Sequence, residues 1–435
     1  MNTMILTLQK LFQKAKEISD PRDAHALSLD LAESMFRHYG DKSLFGFGMG
    51  LKELIPTFLF AAVFLLYVPL TAAEEIEFTF RSSYDGTEQK AVAYLPDSAK
   101  SKEKCPLVVI AHYMGGNRYT GKTGGYYPEC DARGYLLVCP ELHSRRTAGQ
   151  TSMAALEAQH DIADAVAYMK DRYQVDTSRI YLVGRSMGGM LGALIAAKYP
   201  ELFAAVVAGQ GIYDLKRWTE TTIPSLRAAS EKECLVFADT TRFDYERRSA
   251  VIFAGNLRYV PLVLWHGTID TWVPPEQAEL LLKAVGRYTR FLSEMHWILC
   301  AAHCSTNFDP RWEFDHLTYY QNVCEAGFDT PTRFFPELDI VTDEAKRFFW
   351  LGITSAQPDR LSRVQASLER GVVTVRAENT REVVIHLDYV SKLTVCSAFT
   401  VRSDCPLHLT FVRGGKTVFE TDKKKGALPD NLFRR

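Results

Sequence analysis

The sequence predicts an α/β protein: a mostly parallel sheet flanked by helices, followed by a small C-terminal β-domain. Three observations predict it. Short, wholly apolar runs such as Leu107–His112 and Ile180–Val183 are the pattern of strands buried on both faces. Between them lie stretches with apolar residues at helical spacing, the alternation that builds a parallel sheet. Past residue 356 the pattern changes to alternating β-branched residues with Gly414-Gly415 as a turn, the mark of a small antiparallel region. At 435 residues, 47% hydrophobic and 24% charged, the chain is long enough for one large globular domain and a smaller one.

Taken in order, Glu75–Phe80 and Ala91–Leu95 read as an opening pair of strands around Asp85-Gly86. Leu107–His112 and Leu136–Cys139 follow as strands. Ala154–Tyr173 carries Ile162, Ala165, Val166 and Met169 on one helical face. Ile180–Val183 is the next strand, Met187–Lys198 a helix, and Ala204–Ala208 and Leu262–Trp265 further strands. Between them, residues 212–259 are polar and aromatic, and read either as an inserted lid or as an ordinary surface excursion. Trp297–Ala302 reads as the last parallel strand and Trp312–Tyr320 as a helix. The α/β pattern is expected over 74–355 and the β-domain over 356–435, with the last dozen residues a solvated tail.

Leu54–Leu70 is an almost unbroken apolar run of seventeen residues, with Lys52 before it and Thr71-Ala72-Ala73 and two glutamates after it. A basic flank, an apolar core and small residues at the end describe a signal peptide over 49–73. Residues 1–48 are then an extension that is not translated, Met49 being the start. Otherwise 54–70 is an uncleaved signal anchor, and the chain meets the membrane there; a buried helix of a soluble protein is the third reading. In both membrane-related readings the rest of the chain is exported. Balanced charge, 51 basic against 52 acidic residues, leaves no footprint for nucleic acid. Of the nine cysteines, Cys396 and Cys405 could staple a hairpin. None shows CxxC spacing, so no metal site is expected.

Gly184-Arg185-Ser186-Met187-Gly188 matches G-x-S-x-G. Alone the match is weak; its place between the strand IYLV and the helix MLGALIAAK is what a strained nucleophile turn requires. The helix start offers the Met187 N–H to a developing oxyanion. In sites of this type the acid and then the histidine follow the serine along the chain. Asp270 lies just past the strand Leu262–Trp265; its bland alternative is a cap on the helix that follows. His303 follows Trp297–Ala302, and strand-end loops are where such histidines stand. His316, within a helix, is the alternative base. His112 and His266 precede their loops and read as structural. A second oxyanion donor is expected from the backbone of Tyr113 or Met114. Trp218, Trp272 and Trp312 are candidates for stacking on a sugar substrate, against plain packing in core or loops.

These residues resemble the prolyl-oligopeptidase-like and acetyl-xylan-esterase-like branches of the α/β-hydrolases. Tyr173-Gln174-Val175-Asp176, then Arg179-Ile180-Tyr181-Leu182-Val183-Gly184, then Ser186-Met187-Gly188-Gly189 is similar to their Y-x-V-D … R-I-x-L-x-G-x-S-x-G-G block. His266-Gly267-Thr268, Asp270 and Val273-Pro274 are similar to their H-G-x-x-D-x-x-V-P loop. The resemblance covers roughly 89–350 and implies an α/β-hydrolase fold and a serine hydrolase working through an acyl-enzyme without a cofactor. The substrate expected is a small-molecule or glycan ester; a small exopeptidase, or a binding protein that has kept the fold, are the alternatives. Tyr113 stands where the family usually has glycine, and Arg185 where it often has histidine, the latter expected to be without mechanistic consequence. Only about 30 residues separate the cleavage site from the core. The large N-terminal propeller of true prolyl oligopeptidases has no room there, which weakens the peptidase reading.

Overall fold

The computed structural model describes residues 73–429 and residue 432, apart from 101, 145, 147–150, 235–240, 289–292, 304–308, 328–334 and 391–395. The segments 1–48 and 54–70, and Cys304, lie outside the described residues.

Eight strands form the first sheet: β1 (Glu74–Arg81), β2 (Glu88–Leu95), β3 (Cys105–Ala111), β4 (Leu136–Pro140), β5 (Val175–Arg185), β6 (Ala205–Gly209), β7 (Leu262–Gly267) and β8 (Ser293–Ile298). Their order is β1-β2-β4-β3-β5-β6-β7-β8. β1 and β2 are antiparallel, and β2 joins β4 antiparallel. From β4 to β8 every pairing is parallel. This is the α/β-hydrolase fold expected above. The central strands are buried along their whole length, because helices cover both faces. They are α1 (Leu156–Arg172), α2 (Met187–Lys198), α3 (Leu215–Thr221), α4 (Pro224–Cys234), α5 (Thr241–Glu246), α6 (Glu276–Val285) and α7 (Pro310–Gly327). In α2 every residue is buried, as an apolar helix under a sheet must be.

One boundary moves in a way that matters. The last parallel strand is β8 at Ser293–Ile298, not Trp297–Ala302, and 299–302 form the loop after it. β8 is an edge strand with a half-buried, polar pattern, so its apolar signal is weaker than that of its own loop.

The polar stretch 212–259 folds as α3, α4, α5 and a 3-10 segment, Ala250–Tyr259. Leu215, Trp218, Phe253 and Leu257 join the main core. Arg248 is buried against Glu233 at 3.2 Å and also donates to the Ser152 and Met153 carbonyls.

The C-terminal β-rich part has two five-stranded sheets. Its strands are β9 (Glu337–Thr342), β10 (Lys346–Phe348), β11 (Leu351–Ser355), β12 (Ser362–Glu369), β13 (Val372–Glu378), β14 (Thr380–His386), β15 (Ala398–Ser403), β16 (His408–Arg413), β17 (Lys416–Thr421) and β18 (Lys425–Ala427). It starts at Glu337, ahead of residue 356, because β9 pairs with β12 and β11 with β14. Gly414 and Gly415 turn the β16–β17 hairpin with φ of 54° and 74°. Residues 425–428 and 432 are not a solvated tail: β18 pairs with β15, Leu428 and Leu432 are buried, and Arg413 donates to the Leu432 carbonyl. Cys396 and Cys405 are both free thiols; Cys396 is buried, and Cys405 donates to the Thr380 carbonyl at 3.3 Å. Asp343 and Asn256 are among the residues that join this part to the catalytic half. Asp343, buried after β9, takes Lys198 Nζ of α2 at 2.8 Å and Arg247 Nε at 2.9 Å. Asn256 bonds the Val341 backbone in both directions.

Candidate active site

The turn from β5 into α2 places Ser186 at φ 56°, ψ −121°, a positive φ that a serine adopts only when its surroundings enforce it. They do so by crowding. A Cβ on Gly184 would overlap the Gly188 carbonyl, and one on Gly188 would overlap the Ala111 carbonyl. The Ser186 N–H donates to the Gly209 carbonyl at the end of β6, 2.9 Å away. The hydroxyl is thereby lifted above the sheet's C-terminal edge.

His303 and Asp270 come from the loops after β8 and β7. Asp270 Oδ2 accepts from His303 Nδ1 at 2.6 Å, and His303 Nε2 lies 2.9 Å from Ser186 Oγ. An ionised carboxylate only accepts, so the proton of His303 is on Nδ1 and Nε2 is free to accept from the serine hydroxyl. Asp270 Oδ1 accepts from the Trp272 and Val273 N–H groups at 3.0 and 2.9 Å. Burial works against the charge on Asp270. Hydrogen bonds from His266 and His303, the His303 charge and the Val273 N–H outweigh it, holding the carboxyl below the usual carboxylate range. The arrangement can deprotonate a serine hydroxyl and stabilise the resulting imidazolium.

His316 stands apart. Its Nδ1 bonds the Trp312 carbonyl at 2.8 Å and its Nε2 faces Glu294 at 3.7 Å. His112 is fully buried, bridging the Tyr113 and Glu141 carbonyls at 2.9 and 2.7 Å. His266 is buried behind Asp270, with Nε2 on the Val273 carbonyl. Met187 is the first residue of α2. Tyr113 and Met114 lie in the loop after β3. That loop touches the start of α2, since a Cβ on Gly188 would also press on the His112 carbonyl. The Tyr113 side chain is 42% exposed, so it does not fill a core position.

The tryptophans divide. Trp218 is 1% exposed and its Nε1 donates to the Trp272 carbonyl, so it packs in the core and has no free face for a sugar. Trp272 is 49% exposed with its ring 5.5 Å from that of His303. Trp312 packs on His316 and His296 rather than on the serine site.

Further residues support the site, and two of them, Gln210 and Glu313, escape a reading of the sequence. Gln210, just past β6, donates to the Ala302 carbonyl at 3.0 Å, beside His303. Gly267 lets the acid loop touch the base loop, because a Cβ there would overlap the Ala301 carbonyl; Ile269 N–H bonds that same carbonyl at 3.1 Å. Arg185 has a structural role. It makes a two-pronged ion pair with fully buried Glu313 of α7, at 3.0 and 2.8 Å. Glu313 also accepts from Trp265 Nε1 and the Tyr126 hydroxyl. The only signal for these partners was the H-G-x-x-D pattern around Gly267; Gln210 and Glu313 gave none.

The sheet order and its covering helices are those of the α/β-hydrolase fold. Residues 145–326 match the model of the prolyl oligopeptidase family. The chain is 23% identical to acetylxylan esterase A of Aspergillus oryzae over 206 residues, 44% of this chain and 63% of that protein. It is 27% identical to feruloyl esterase B of Thermothelomyces thermophilus over 203 residues, 44% of this chain and 67% of that protein. The chain spans 63% of the length of the first of these relatives, a probable acetylxylan esterase A of Aspergillus flavus. Among solved structures it is similar to a puromycin hydrolase, at 22% identity and a TM-score of 0.46, covering 58% of this chain and 40% of that one. An S-formylglutathione hydrolase from Agrobacterium tumefaciens shares 19% identity and a TM-score of 0.46 over 58% of this chain and 95% of that one. The chain is similar to prolyl-oligopeptidase-like and acetylxylan-esterase-like serine hydrolases.

Proposed function

We propose that this chain hydrolyses carboxylic esters through an acyl-enzyme, with Ser186 as nucleophile, His303 as general base and acid, and Asp270 as the group that orients it. The observation that carries the reading is the relay of 2.9 and 2.6 Å from Ser186 Oγ through His303 to Asp270. As Ser186 Oγ bonds the acyl carbon, its proton passes to His303 Nε2. The carbonyl oxygen becomes an oxyanion facing the Met187 N–H and that of Tyr113 or Met114. The leaving alcohol takes the proton from His303. Water then repeats the sequence, releasing the acid and restoring the serine.

Esters are favoured over peptides by the named activities of the acetylxylan and feruloyl esterases it resembles. An acylated glycan fits the exposed indole of Trp272 beside His303. Export rests on the pattern of residues 49–73; N-terminal sequencing of secreted protein should begin near Glu74, and a start at Met1 refutes a cleaved signal. The second reading, an exopeptidase, is favoured by the prolyl oligopeptidase match over 145–326. Rates on p-nitrophenyl acetate, acetylated xylan and dipeptidyl p-nitroanilides, with Ser186→Ala as blank, separate the two. Fast ester turnover with inert anilides supports the esterase; efficient anilide cleavage overturns it.

A further inference from the structure

A second group of histidines lies outside the serine site. Glu294 and His296 are two apart on β8, so they project from the same face of the edge strand. His316, one turn after Trp312 on α7, faces them. Glu294 Oε1 is 3.5 Å from His296 Nε2 and 3.7 Å from His316 Nε2, and the three donor atoms all lie within 4.8 Å of one another. Ligands 2.0–2.2 Å from a tetrahedral zinc ion stand about 3.4 Å apart. The two carboxylate–imidazole separations are already near that value, and the two imidazoles need only close on each other.

The chemistry of the unliganded group is unfinished. Glu294 Oε1 and His296 Nε2 are shielded from solvent and have no hydrogen-bond partner among the described residues. His316 is held in one tautomer, because the Trp312 carbonyl can only accept and so takes the proton of Nδ1. Its Nε2 therefore presents a lone pair toward a carboxylate oxygen. Converging lone pairs repel unless a cation lies between them. A backbone carbonyl on the second nitrogen is also the outer support that metal-bound histidines carry. Trp312 packs against both imidazoles, with ring centroids 4.8 Å from His296 and 3.7 Å from His316, and limits their rotation. The three side chains are partly exposed, which leaves a route for an ion.

We propose that Glu294, His296 and His316 form a binding site for a borderline divalent cation, zinc first. Two imidazoles and one carboxylate are a mixed nitrogen–oxygen set that suits zinc rather than magnesium or calcium. The fourth position is open to water. The ion bridges edge strand β8 to α7. β8 leads directly into the loop bearing His303, and α7 carries Glu313, the anchor of Arg185 beside the serine. Cysteine spacing gave no hint of this site, since its ligands are a strand pair and a helix residue twenty positions on.

The test is zinc binding to the full chain after stripping with a chelator, read by calorimetry and by metal content after gel filtration. Cobalt replaces zinc for the visible bands of a four-coordinate site. About one equivalent is expected. His296→Asn and His316→Asn each should weaken binding by at least about 100-fold, since loss of even an outer partner costs 10–100-fold. His408→Asn, at an exposed histidine beside Asp422, should bind as the parent does. Glu294→Gln provides a third removal should either histidine variant fail to give the parent's far-ultraviolet circular dichroism. The proposal is overturned if the parent retains no stoichiometric zinc, or if the ligand variants retain as much as the parent does. No readout depends on hydrolysis, so failure of the esterase reading leaves the result intact.

Discussion

The serine site and the Glu294–His296–His316 group both join imidazoles to a carboxylate at the β7–β8 side of one sheet, yet they are finished differently. Asp270 has two backbone N–H groups on one oxygen and His303 on the other, and each His303 nitrogen has a partner. Glu294 Oε1 and His296 Nε2 have none among the described residues. A complete network holds its geometry before any ligand arrives, as proton transfer demands. An incomplete one keeps lone pairs available, as metal binding demands. The difference arises from where the residues sit. The first set stands on loops that fold back on one another; the second stands on rigid faces of a strand and a helix.

The largest expected effect tests the complete network. Ser186→Ala and His303→Ala should each lower kcat on the best ester by roughly 10⁶-fold, and the double variant should be hardly worse, as for groups that act as one unit. Additive losses in the double variant would break the picture.

Asp270→Asn should cost roughly 10⁴-fold in kcat, by offering His303 the wrong tautomer. It also changes stability with a definite sign. The carboxyl of Asp270 is depressed in the folded state, so its stabilisation is present above the ordinary value of 3.8 and is lost as pH falls through the lower folded value. The gap in thermal stability between parent and variant should be constant near neutrality and close below about pH 4. A gap that persists at low pH would mean that packing, not charge, holds the loop.

Arg185→Met leaves Glu313 buried with its ion-pair partner removed. Denaturant unfolding should show a loss of about 3 kcal/mol, and Glu313→Gln in the same chain should recover part of it. Equal losses in single and double variants would show that the pair does not couple elbow to helix.

Smallest of all is Glu294→Gln in metal-free buffer. Because Glu294 Oε1 has no hydrogen-bond partner among the described residues, stability should change by no more than about 0.5 kcal/mol. A larger loss would mean that this cluster, too, is complete without a metal.

Much of this architecture was legible in the chain. Met187–Lys198 is both the predicted and the observed helix, because a uniformly apolar segment after a Gly-flanked serine has few alternatives. β8 was misplaced, since an edge strand needs few apolar residues and its loop carried more of them. Preferring His303 to His316 needed only the rule that strand-end loops reach the sheet edge, and the structure brings His303 to Ser186 and Asp270. Trp218, Gln210 and Arg185 could not be read: an indole looks alike in core and on rim, and an arginine does not name its partner 128 residues away.

Local pattern by itself determined the strand–turn–helix elbow, the parallel sheet and the acid loop, because each depends on backbone geometry and apolar spacing within about a dozen residues. Only the tertiary structure decided which histidine meets the serine, which tryptophan keeps a free face and which carboxylate is left without donors. Those outcomes depend on distances between segments that nothing in their own sequence constrains, and the packing of β7, β8 and α7 sets them.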